Sequence, residues 1–570
     1  MSQPVAEIIV ETLFEAGVRR CYGIVGDTLN RIALEIDKSE IEWVHMRHEE
    51  AGAFAAQSES LVTGKLTAIA GSCGPGSLHF INGVFEANRN RAPLILIASQ
   101  VTREEIGFDF IQEVDLQGIY KSCSVYCETI LTPDQARRKT VAACQAAINK
   151  RGVAVLVVPV DVSHAQSNDK TPFSLHAPSP VLRPSDGELA DMAALLNTGG
   201  KVTIYGGSGC EGALAQILQV AEKLKCPIAH TSRGKEAIEP GNPYNIGMTG
   251  IIGTEAGYHA ILDCDTLLLL GADFAWRQFY PDNAKIIQVD IDPTHLGRRH
   301  PVHLGVVGDI KATMAALLPL LQERSDTSFR DHWVRKYEHD LQAMRDKAVP
   351  GRDGSIPGTY VTRLINQYAD DDALFSSDDG TPTVWAYRML DMNGKRRLFA
   401  SLLHGTMAHA MPAALGMKKC QPGRQVICMC GDGGIAMLFG DLMTTIQEDL
   451  PIKICVYDNR KLGFVEIEQR AEGMVDLYTD LKNPDFGKVA AAMGLWGRTV
   501  DKGEELEEAI QTWLAQPGPA LLNVRVQPQQ LVMPPFIEAK AVLGMALYST
   551  RAVLAGRGGD VLEMIKENFL

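Results

Sequence analysis

Two short polar turns in the last third of the chain carry side chains that could together hold a divalent cation. Gly431-Asp432-Gly433 follows one short apolar run, and Asp458-Asn459 follows the next. If these runs are neighbouring parallel strands, both turns emerge at the same edge of one sheet, where open α/β sheets bind ligands. A carboxylate, an amide oxygen and a backbone carbonyl are hard ligands suited to Mg²⁺, which often also binds phosphate oxygens. The pair therefore indicates a diphosphate anchor, although Gly-Asp-Gly alone is also an ordinary turn sequence.

Three segments near the N-terminus could bring backbone or a carboxylate close to a ligand. Glycine-rich turns occur at Tyr22-Gly23-Ile24-Val25-Gly26-Asp27 and at Gly71-Ser72-Cys73-Gly74-Pro75-Gly76. Such turns allow close approach of the backbone to a bound group, but they also serve simple chain reversal. Arg47-His48-Glu49-Glu50 lies between them and, taken alone, is typical of a solvated helix start.

The elements that must position these turns are indicated by apolar runs that alternate with helical stretches. Runs such as 66–71, 93–99 and 425–430 are continuously apolar, which is typical of parallel strands buried on both faces. Because the runs form three groups, we predict an α/β protein with three doubly wound parallel-sheet domains. The predicted domains cover residues 1–180, 181–332 and 333–530, and a C-terminal amphipathic helical segment covers 531–570.

Composition limits the functional class. The chain has 570 residues, of which 46% are hydrophobic and 22% charged, as expected for a multidomain globular protein. A formal net charge of −14 disfavours nucleic acid as a partner. The first residues lack the pattern of a signal peptide, and no apolar stretch approaches the roughly 20 residues of a membrane-spanning helix. We therefore expect a cytoplasmic enzyme whose 12 cysteines remain thiols.

The turns described above, taken together, resemble those of the thiamine-diphosphate-dependent pyruvate oxidase family. The resemblance extends over almost the whole chain and includes Arg233-Gly234-Lys235-Glu236, Asn393 to Arg397 and Ala555-Gly556-Arg557-Gly558. Within the family, the chain is most similar to the quinone-linked flavin pyruvate dehydrogenases that work at bacterial membrane surfaces.

The resemblance implies roles for individual residues around thiamine diphosphate and Mg²⁺. Glu49 is placed against the aminopyrimidine ring, where a carboxyl group promotes the tautomer that removes a proton. Gln112 and Glu468 are implied beside the substrate as further catalytic residues. The implied metal ligands are Asp432, Asn459 and the backbone carbonyl of Lys461. The other implied thiamine-diphosphate contacts are Gly26, Gly405, Thr406, Met407, Gly433, Gly434, Gly463 and Phe464.

The resemblance also implies FAD in the middle domain. Asp290 ends a predicted strand, as an acid that binds a ribose does. The other implied FAD residues are Thr249, Gly250, Ile251, Ile252, Ala272, Asp273, Phe274, Ala275 and Trp276. The alternative is a domain that keeps the fold without a working flavin, because some family members have lost or idled theirs.

Four positions depart from the family pattern. Asp458 replaces an asparagine, Asp379 a small apolar residue, Ile111 an aromatic residue and His409 a small or amide residue. Because Asn459 is retained, the departures leave the predicted metal site intact. They put the exact 2-oxo acid in question.

The implied activity is oxidative decarboxylation of pyruvate to acetate and CO₂, with electrons passing through FAD to a membrane quinone. The resemblance further implies a homotetramer with active sites between subunits, bound peripherally to the inner face of the cell membrane. Its C-terminal segment would bind lipid, although a docked core helix is the alternative. An oxygen-dependent pyruvate oxidase and an acetolactate-synthase-type carboligase share the same motifs. An inactive binding protein is disfavoured because Glu49, Asp432 and Asn459 are all present.

Overall fold

The computed structural model of the protein describes residues 2–198, 200–528, 530, 539–554, 557–559, 561–562 and 564. Three six-stranded parallel sheets, each flanked by helices, follow one another along the chain. The predicted α/β fold class with three parallel-sheet domains is therefore confirmed. Within the described residues, no helix has the combination of length and apolar character needed to cross a membrane.

The first domain is built on a sheet of strand order β3-β2-β4-β5-β7-β6, with a small antiparallel pair of β1 and β8. Its central strands are buried on both faces because helices cover both sides of the sheet. The strands are β1 (Gln3–Pro4), β2 (Arg20–Gly23), β3 (Glu42–His45), β4 (Thr67–Gly71), β5 (Leu94–Gln100), β6 (Tyr126–Thr129), β7 (Val153–Pro159) and β8 (Gln166–Ser167). The helices are α1 (Val5–Glu15), α2 (Asn30–Asp37), α3 (Glu49–Thr63), α4 (Pro75–Leu78), α5 (Ile81–Arg89), α6 (Leu116–Tyr120), α7 (Ala136–Lys150) and α8 (Val160–His164).

The central domain has a sheet of order β11-β10-β9-β12-β13-β14. The chain starts at β9 and builds outward first on one side and then on the other, so a crevice forms at the carboxyl ends of β9 and β12. The strands are β9 (Val202–Gly206), β10 (Ile228–His230), β11 (Asn245–Met248), β12 (Thr266–Leu270), β13 (Lys285–Asp290) and β14 (Leu304–Val307). The helices are α9 (Asp186–Thr198), α10 (Leu214–Leu224), α11 (Lys235–Ile238), α12 (Glu255–Leu262), α13 (Ile310–Leu317) and α14 (Ser328–Lys347).

The third domain has a sheet of order β16-β15-β17-β18-β20-β19. The strands are β15 (Leu374–Ser377), β16 (Arg397–Ala400), β17 (Val426–Gly431), β18 (Lys453–Asp458), β19 (Trp496–Val500) and β20 (Ala520–Arg525). The helices are α15 (Gly358–Tyr368), α16 (Thr381–Met389), α17 (Ala410–Cys420), α18 (Asp432–Met437), α19 (Leu442–Gln447), α20 (Gly463–Ala471), α21 (Phe486–Ala492) and α22 (Gly503–Leu514), followed by α23 (Ala539–Leu554).

The first and third domains share one continuous apolar core, because α3 packs directly on α17. The backbones come so close that a Cβ atom at Gly416 would overlap the carbonyl oxygen of Ala55. Ser58 Oγ on α3 donates a hydrogen bond of 2.7 Å to the Ala413 carbonyl on α17. Alanine and glycine on these helices are thus required for the contact that fixes the two sheets relative to each other.

The boundary predicted between residues 332 and 333 falls inside α14, whose Trp333 packs with central-domain residues such as Ile261. Helix α14 therefore belongs with the central domain.

Helix α23 packs on α20, with Tyr548 and Ala552 buried, whereas Leu543 is 72% exposed and Leu554 is 82% exposed. Most of the remaining predicted C-terminal segment lies outside the described residues.

Candidate active site

Glu49 lies at the first position of α3, immediately after the loop that leaves β3. His48 caps the helix, since its ring nitrogen Nδ1 accepts a 3.1 Å hydrogen bond from the backbone N–H of Glu50. The Glu49 side chain is 9% exposed, and its Oε2 lies 3.0 Å from His79 Nδ1. The His79 ring stacks on that of His48 at a centroid distance of 4.9 Å. Glu49 is therefore held by a paired-histidine support that a solvated helix start would not need.

The glycine-rich turns of the first domain meet around Glu49. A Cβ atom at Gly76 would lie 3.5 Å from Glu49 Oε1, and one at Gly26 would clash with Ser72. Gln112 closes the other side of the turn, because Cys73 Sγ donates a 3.4 Å hydrogen bond to Gln112 Oε1. Gln112 has a left-handed φ of 66°, a strained conformation for a residue other than glycine. The structure thus brings Gly26, Glu49 and Gln112 into one cluster.

The second cluster surrounds two buried carboxylates at the carboxyl edge of the third sheet. Asp432 begins α18 directly after β17, and Asp458 ends the adjacent strand β18. Asn483 Nδ2 donates to both, at 2.6 Å to Asp432 Oδ2 and 2.9 Å to Asp458 Oδ1. Burial first, and then the charge of Asp458, raise the pKa of Asp432 to about 7. Two buried acids that repel each other fit a divalent cation, whose charge would relieve that repulsion.

The loop after β18 supplies the remaining predicted metal and diphosphate residues. Asn459 Oδ1 accepts a 3.0 Å hydrogen bond from Lys461 N, and Arg460 N donates a 2.7 Å bond to Asp432 Oδ2. A Cβ atom at Gly463 would lie 2.9 Å from Asn459 Nδ2. The loop is therefore bonded to Asp432. The predicted metal residues Asp432, Asn459 and Lys461 lie in two neighbouring turns, one after β17 and one after β18.

Met407 and Gly433 lie against each other beside this loop. A Cβ atom at Gly433 would be 3.1 Å from Met407 Cε, and one at Gly434 would overlap Asp378 Oδ2. Gly405 has a left-handed φ of 71°, and its Cβ position is 3.6 Å from Asp379 Oδ2. The predicted Met407 and Gly433 are thus in contact, whereas Gly434 packs against Asp378 and Gly405 lies near Asp379.

Acidic side chains dominate the neighbourhood of Asp379. Burial, followed by the charges of Glu86 and Glu468, raises the pKa of Asp379 above its ordinary range. Asp378 is buried beside it, and burial raises its pKa to about 7. Glu468 itself is exposed on α20. Asp379 and the predicted substrate residue Glu468 therefore share one electrostatic environment.

Four other residues singled out from the sequence are Thr406, Phe464, His409 and Ile111. Thr406 Oγ1 accepts a 3.0 Å hydrogen bond from Asn82 Nδ2, so it faces the first domain of the same chain. Phe464 packs against the apolar core of the third domain. His409 is 1% exposed with both ring nitrogens unpartnered among the described residues, and burial lowers its pKa. Ile111 is 79% exposed.

The two clusters are separate within one chain. No hydrogen bond between described residues joins the cluster of Gly26, Glu49 and Gln112 to the cluster of Asp432 and Asn459. The hydrogen bonds between the two domains instead include that from Asn82 to Thr406 and those from the backbone N–H groups of His45 and Arg47 to Glu448 and Asp441. Each cluster, here called a half-site, therefore has its own hydrogen-bond network.

The predicted flavin residues gather at the crevice of the central domain. Gly250, in the turn after β11, lies against Phe274 and Trp276, so two predicted segments meet there. The Thr249 hydroxyl is buried and has no hydrogen-bond partner among the described residues. Ile252 O accepts a 3.0 Å bond from Arg388 Nε of the third domain. Ile251 and Trp276 remain 40% and 46% exposed, so the crevice has an open apolar rim and an unused buried donor, which fits a flavin nucleotide.

The two predicted acids of this domain are already engaged. Asp290 Oδ1 accepts from Asp292 N at 2.9 Å and lies 3.1 Å from His295 Nδ1. Both oxygens of Asp273 accept hydrogen bonds from Arg298 and Arg299. Ala272 is buried and Ala275 exposed on either side of Asp273.

Sequence reasoning missed His79, Asn483, Arg298 and Arg299. His79 lies three residues beyond the Gly71 to Gly76 turn and directly follows α4. Its closeness in sequence to that turn was the signal that could have found it. The Arg298-Arg299 pair follows the predicted ribose acid by a few positions and was visible as a charge doublet. Asn483 gave no signal, since it lies 51 positions from Asp432 in an irregular stretch.

Comparison with known proteins agrees with the three-domain architecture. Residues 3–119 match the thiamine pyrophosphate enzyme N-terminal TPP binding domain, residues 189–317 the central domain and residues 378–524 the C-terminal TPP binding domain. A putative thiamine pyrophosphate-containing protein, YdaP of Bacillus subtilis, is 32% identical over 91% of each chain. Pyruvate oxidase of Lactiplantibacillus plantarum is 28% identical over 90% of this chain and 87% of its own. The large subunit of acetolactate synthase isozyme 2 of Escherichia coli is 29% identical over 93% of this chain and 96% of its own.

Proposed function

Because this chain belongs to the thiamine pyrophosphate enzyme family, we propose that it oxidatively decarboxylates pyruvate or another short 2-oxo acid. Pyruvate and water would give acetate, CO₂, two protons and two electrons, and the electrons would leave through FAD to a membrane quinone. The observation that carries the proposal is the pair of half-sites: a supported buried carboxylate at Glu49 and a buried acid pair at Asp432 and Asp458.

The residues of the two half-sites have distinct tasks. Thiamine diphosphate, when bound, supplies an electron sink that makes loss of CO₂ from a 2-oxo acid feasible. Asp432, Asn459 and the Lys461 carbonyl would hold Mg²⁺ and, through it, the diphosphate. Glu49 would hold a proton at its carboxyl group against the cofactor ring, and His79 would fix the orientation of that carboxyl group.

The substrate side is acidic on the third domain and amide-bearing on the first. Gln112 offers an amide beside the glycine turn, and Glu468 a carboxylate that can exchange protons with water because it is exposed. Asp379 adds a second carboxylate near Glu468. A small 2-oxo acid with one carboxylate suits this setting better than a dicarboxylic one, since each added negative charge would be repelled.

FAD is proposed for the central domain. It would accept the two electrons released by the reaction. Its support is the crevice at the carboxyl ends of β9 and β12, with the unpartnered Thr249 hydroxyl and the exposed Trp276 ring. The relatives named pyruvate oxidase and acetolactate synthase also match this domain, and their names correspond to the two alternative activities.

Assembly and membrane association belong to the same proposal. Two half-sites on one chain are completed when the first domain of one subunit meets the third domain of another, and a homotetramer provides such pairs. The exposed Leu543, Leu547 and Leu554 on α23 support peripheral binding to the inner face of the cell membrane. That surface would bring the enzyme, otherwise cytoplasmic, to its quinone.

One assay series tests the proposal. Purified protein is supplied with thiamine diphosphate, Mg²⁺, FAD, inorganic phosphate and pyruvate, and acetate, acetyl phosphate, acetolactate and oxygen uptake are measured with and without a soluble quinone analogue. We expect acetate formation that depends on the quinone analogue and continues without oxygen. Acetyl phosphate formed with oxygen uptake would replace the proposal by an oxygen-dependent oxidase. Acetolactate as the main product would replace it by a carboligase, as in the acetolactate synthase relatives.

A further inference from the structure

Asp273 is saturated by two arginines at the edge of the central crevice. Arg298 donates from Nε at 2.9 Å and from a terminal nitrogen, and Arg299 donates from Nε at 2.9 Å and from Nη2 at 3.1 Å. Burial alone would raise the pKa of Asp273, but the hydrogen bonds from both arginines lower it to about 2. All acceptor positions that face the arginines are used, so Asp273 cannot also be the main acceptor for a ribose hydroxyl.

Arg298 and Arg299 each have hydrogen-bond donors beyond those that bind Asp273. Each uses Nε and Nη2 on Asp273, and the Nη1 group of each makes no hydrogen bond within the described part of the chain. The side chains of Arg298 and Arg299 are 42% and 40% exposed, whereas that of Asp273 is 18% exposed. The triad itself, one carboxylate and two planar guanidinium groups, carries one net positive charge, and the carboxylates of Asp290 and Asp292 also act on Arg298.

The triad of Asp273, Arg298 and Arg299 lies at the edge of the central crevice. Asp273 lies just beyond β12, and the backbone beneath it is lined by glycine: a Cβ atom at Gly209 would be 2.7 Å from Gly271 Cα. The next residue, Phe274, lies against Gly250 in the turn that contains the unpartnered Thr249 hydroxyl. The triad therefore borders the crevice beside two closely packed glycine backbones, and Phe274 links it to a turn with a buried hydroxyl that is unpartnered among the described residues.

We propose that Arg298 and Arg299 form a twin-arginine clamp for the diphosphate of a dinucleotide, and that Asp273 positions the clamp without contacting the ligand. This inference rests on the proposed function in one respect, since FAD is the dinucleotide that the reaction would use. It revises the expectation from sequence, in which Asp273 itself was the ligand contact. The free Nη1 groups supply two charge-assisted hydrogen bonds to phosphate oxygens, which suit planar guanidinium groups better than lysine.

Nucleotide binding measured by titration calorimetry tests the clamp without any turnover. The probes are FAD, ADP, AMP and adenosine, which differ in whether they carry a diphosphate. The variants are Arg298→Ala/Arg299→Ala, Arg298→Lys/Arg299→Lys and Asp273→Asn. Lys201→Ala/Lys285→Ala is the charge-matched control, because both lysines are exposed at the amino ends of strands, on the opposite edge of the sheet. Circular dichroism confirms that each variant is folded.

We expect the double alanine variant to bind ADP and FAD about 10- to 100-fold more weakly, the loss given by charge-assisted hydrogen bonds of ordinary strength. Its affinity for adenosine should be unchanged, so the preference for ADP over AMP should disappear. The lysine pair should recover part of the ADP affinity, and Asp273→Asn should lose part of it. A general structural defect would instead lower the affinity for all four probes to a similar extent.

The outcomes separate this inference from the proposed function. Unchanged ADP and FAD affinity in the double alanine variant overturns the clamp, even if pyruvate is oxidised. Loss of the ADP preference supports the clamp, even if the protein turns out to oxidise no 2-oxo acid. Failure of the unmutated protein to bind either ADP or FAD overturns the clamp outright.

Discussion

Arg470 Nη2 lies 2.9 Å from Glu466 Oε1, and Arg470 Nε lies 3.0 Å from Asp476 Oδ1, with all three side chains no more than 2% exposed. The chain of charges continues on both sides. Glu466 also pairs with Lys461 of the predicted metal loop, and Asp476 pairs with Arg557 beyond α23. The Arg470 guanidinium group lies 4.9 Å from the centre of the Tyr548 ring on α23. One buried network thus connects the metal loop to the docked C-terminal helix.

Arg470→Met should lower the free energy of unfolding by up to about 3–5 kcal/mol, because it removes the buried cation between Glu466 and Asp476 and leaves each carboxylate with only its outer partner, Lys461 or Arg557. Urea denaturation measures this. The control is Arg498→Met, which breaks an exposed pair with Glu508 and should cost less than about 1 kcal/mol. Limited proteolysis should also show earlier cleavage around residue 530 in Arg470→Met. Equal stability of the two variants would show that the network carries no such energy.

Glu49→Gln should preserve the fold and cofactor binding but slow exchange of the thiazolium C2 proton by about 10²- to 10⁴-fold, because an amide cannot hold and release a proton as a carboxyl group does. Proton exchange into deuterated water, followed by NMR of the bound cofactor, measures the rate. Glu50→Gln is the matched control, since Glu50 follows Glu49 in α3 and accepts a hydrogen bond from Asn82 on α5. Exchange at the unmutated rate in Glu49→Gln would remove Glu49 from the catalytic role.

Asp432→Ala should weaken Mg²⁺-dependent binding of thiamine diphosphate by more than about 100-fold. The reason is that partners outside the first coordination sphere already cost about 10- to 100-fold when mutated, and Asp432 is the predicted direct ligand. Asp458→Asn restores the residue common in the family and should stay within that smaller range. Fluorescence titration with and without EDTA compares the three proteins. A larger loss in Asp458→Asn than in Asp432→Ala would exchange the two assignments.

Truncation after Gln530 should abolish flotation with liposomes in the presence of pyruvate and cofactors while the enzyme stays folded. A sharper variant is Leu543→Glu/Leu554→Glu, which changes two exposed leucines and leaves the buried Tyr548 face of α23 intact. It should float less than the unmutated protein. Leu131→Glu/Leu320→Glu, at exposed leucines of the other two domains, is the control and should float normally. Equal flotation of all four proteins, or none, would contradict membrane binding through this segment.

Much of the architecture was predictable because its causes are local in sequence. Strands such as β5 and β7 are buried on both faces, so their continuous apolar runs identify parallel strands without any knowledge of their partners. The turn at Asp432 was likewise predictable, since a strand followed directly by Gly-Asp-Gly and a helix places that side chain at a sheet edge. Individual roles, such as that of Glu49, came from resemblance to a family rather than from spacing.

Only the tertiary structure decided which polar groups meet. Asn483 bridges Asp432 and Asp458, His79 supports Glu49, and the arginines at 298 and 299 occupy the carboxylate of Asp273. Apolar periodicity follows from burial of one element face and is written into each short stretch of chain. A hydrogen bond between side chains tens of residues apart depends on how loops of irregular structure return to one point. Sequence therefore determined the three sheets and their ligand-binding edges, whereas folding in three dimensions determined the partners of each charge.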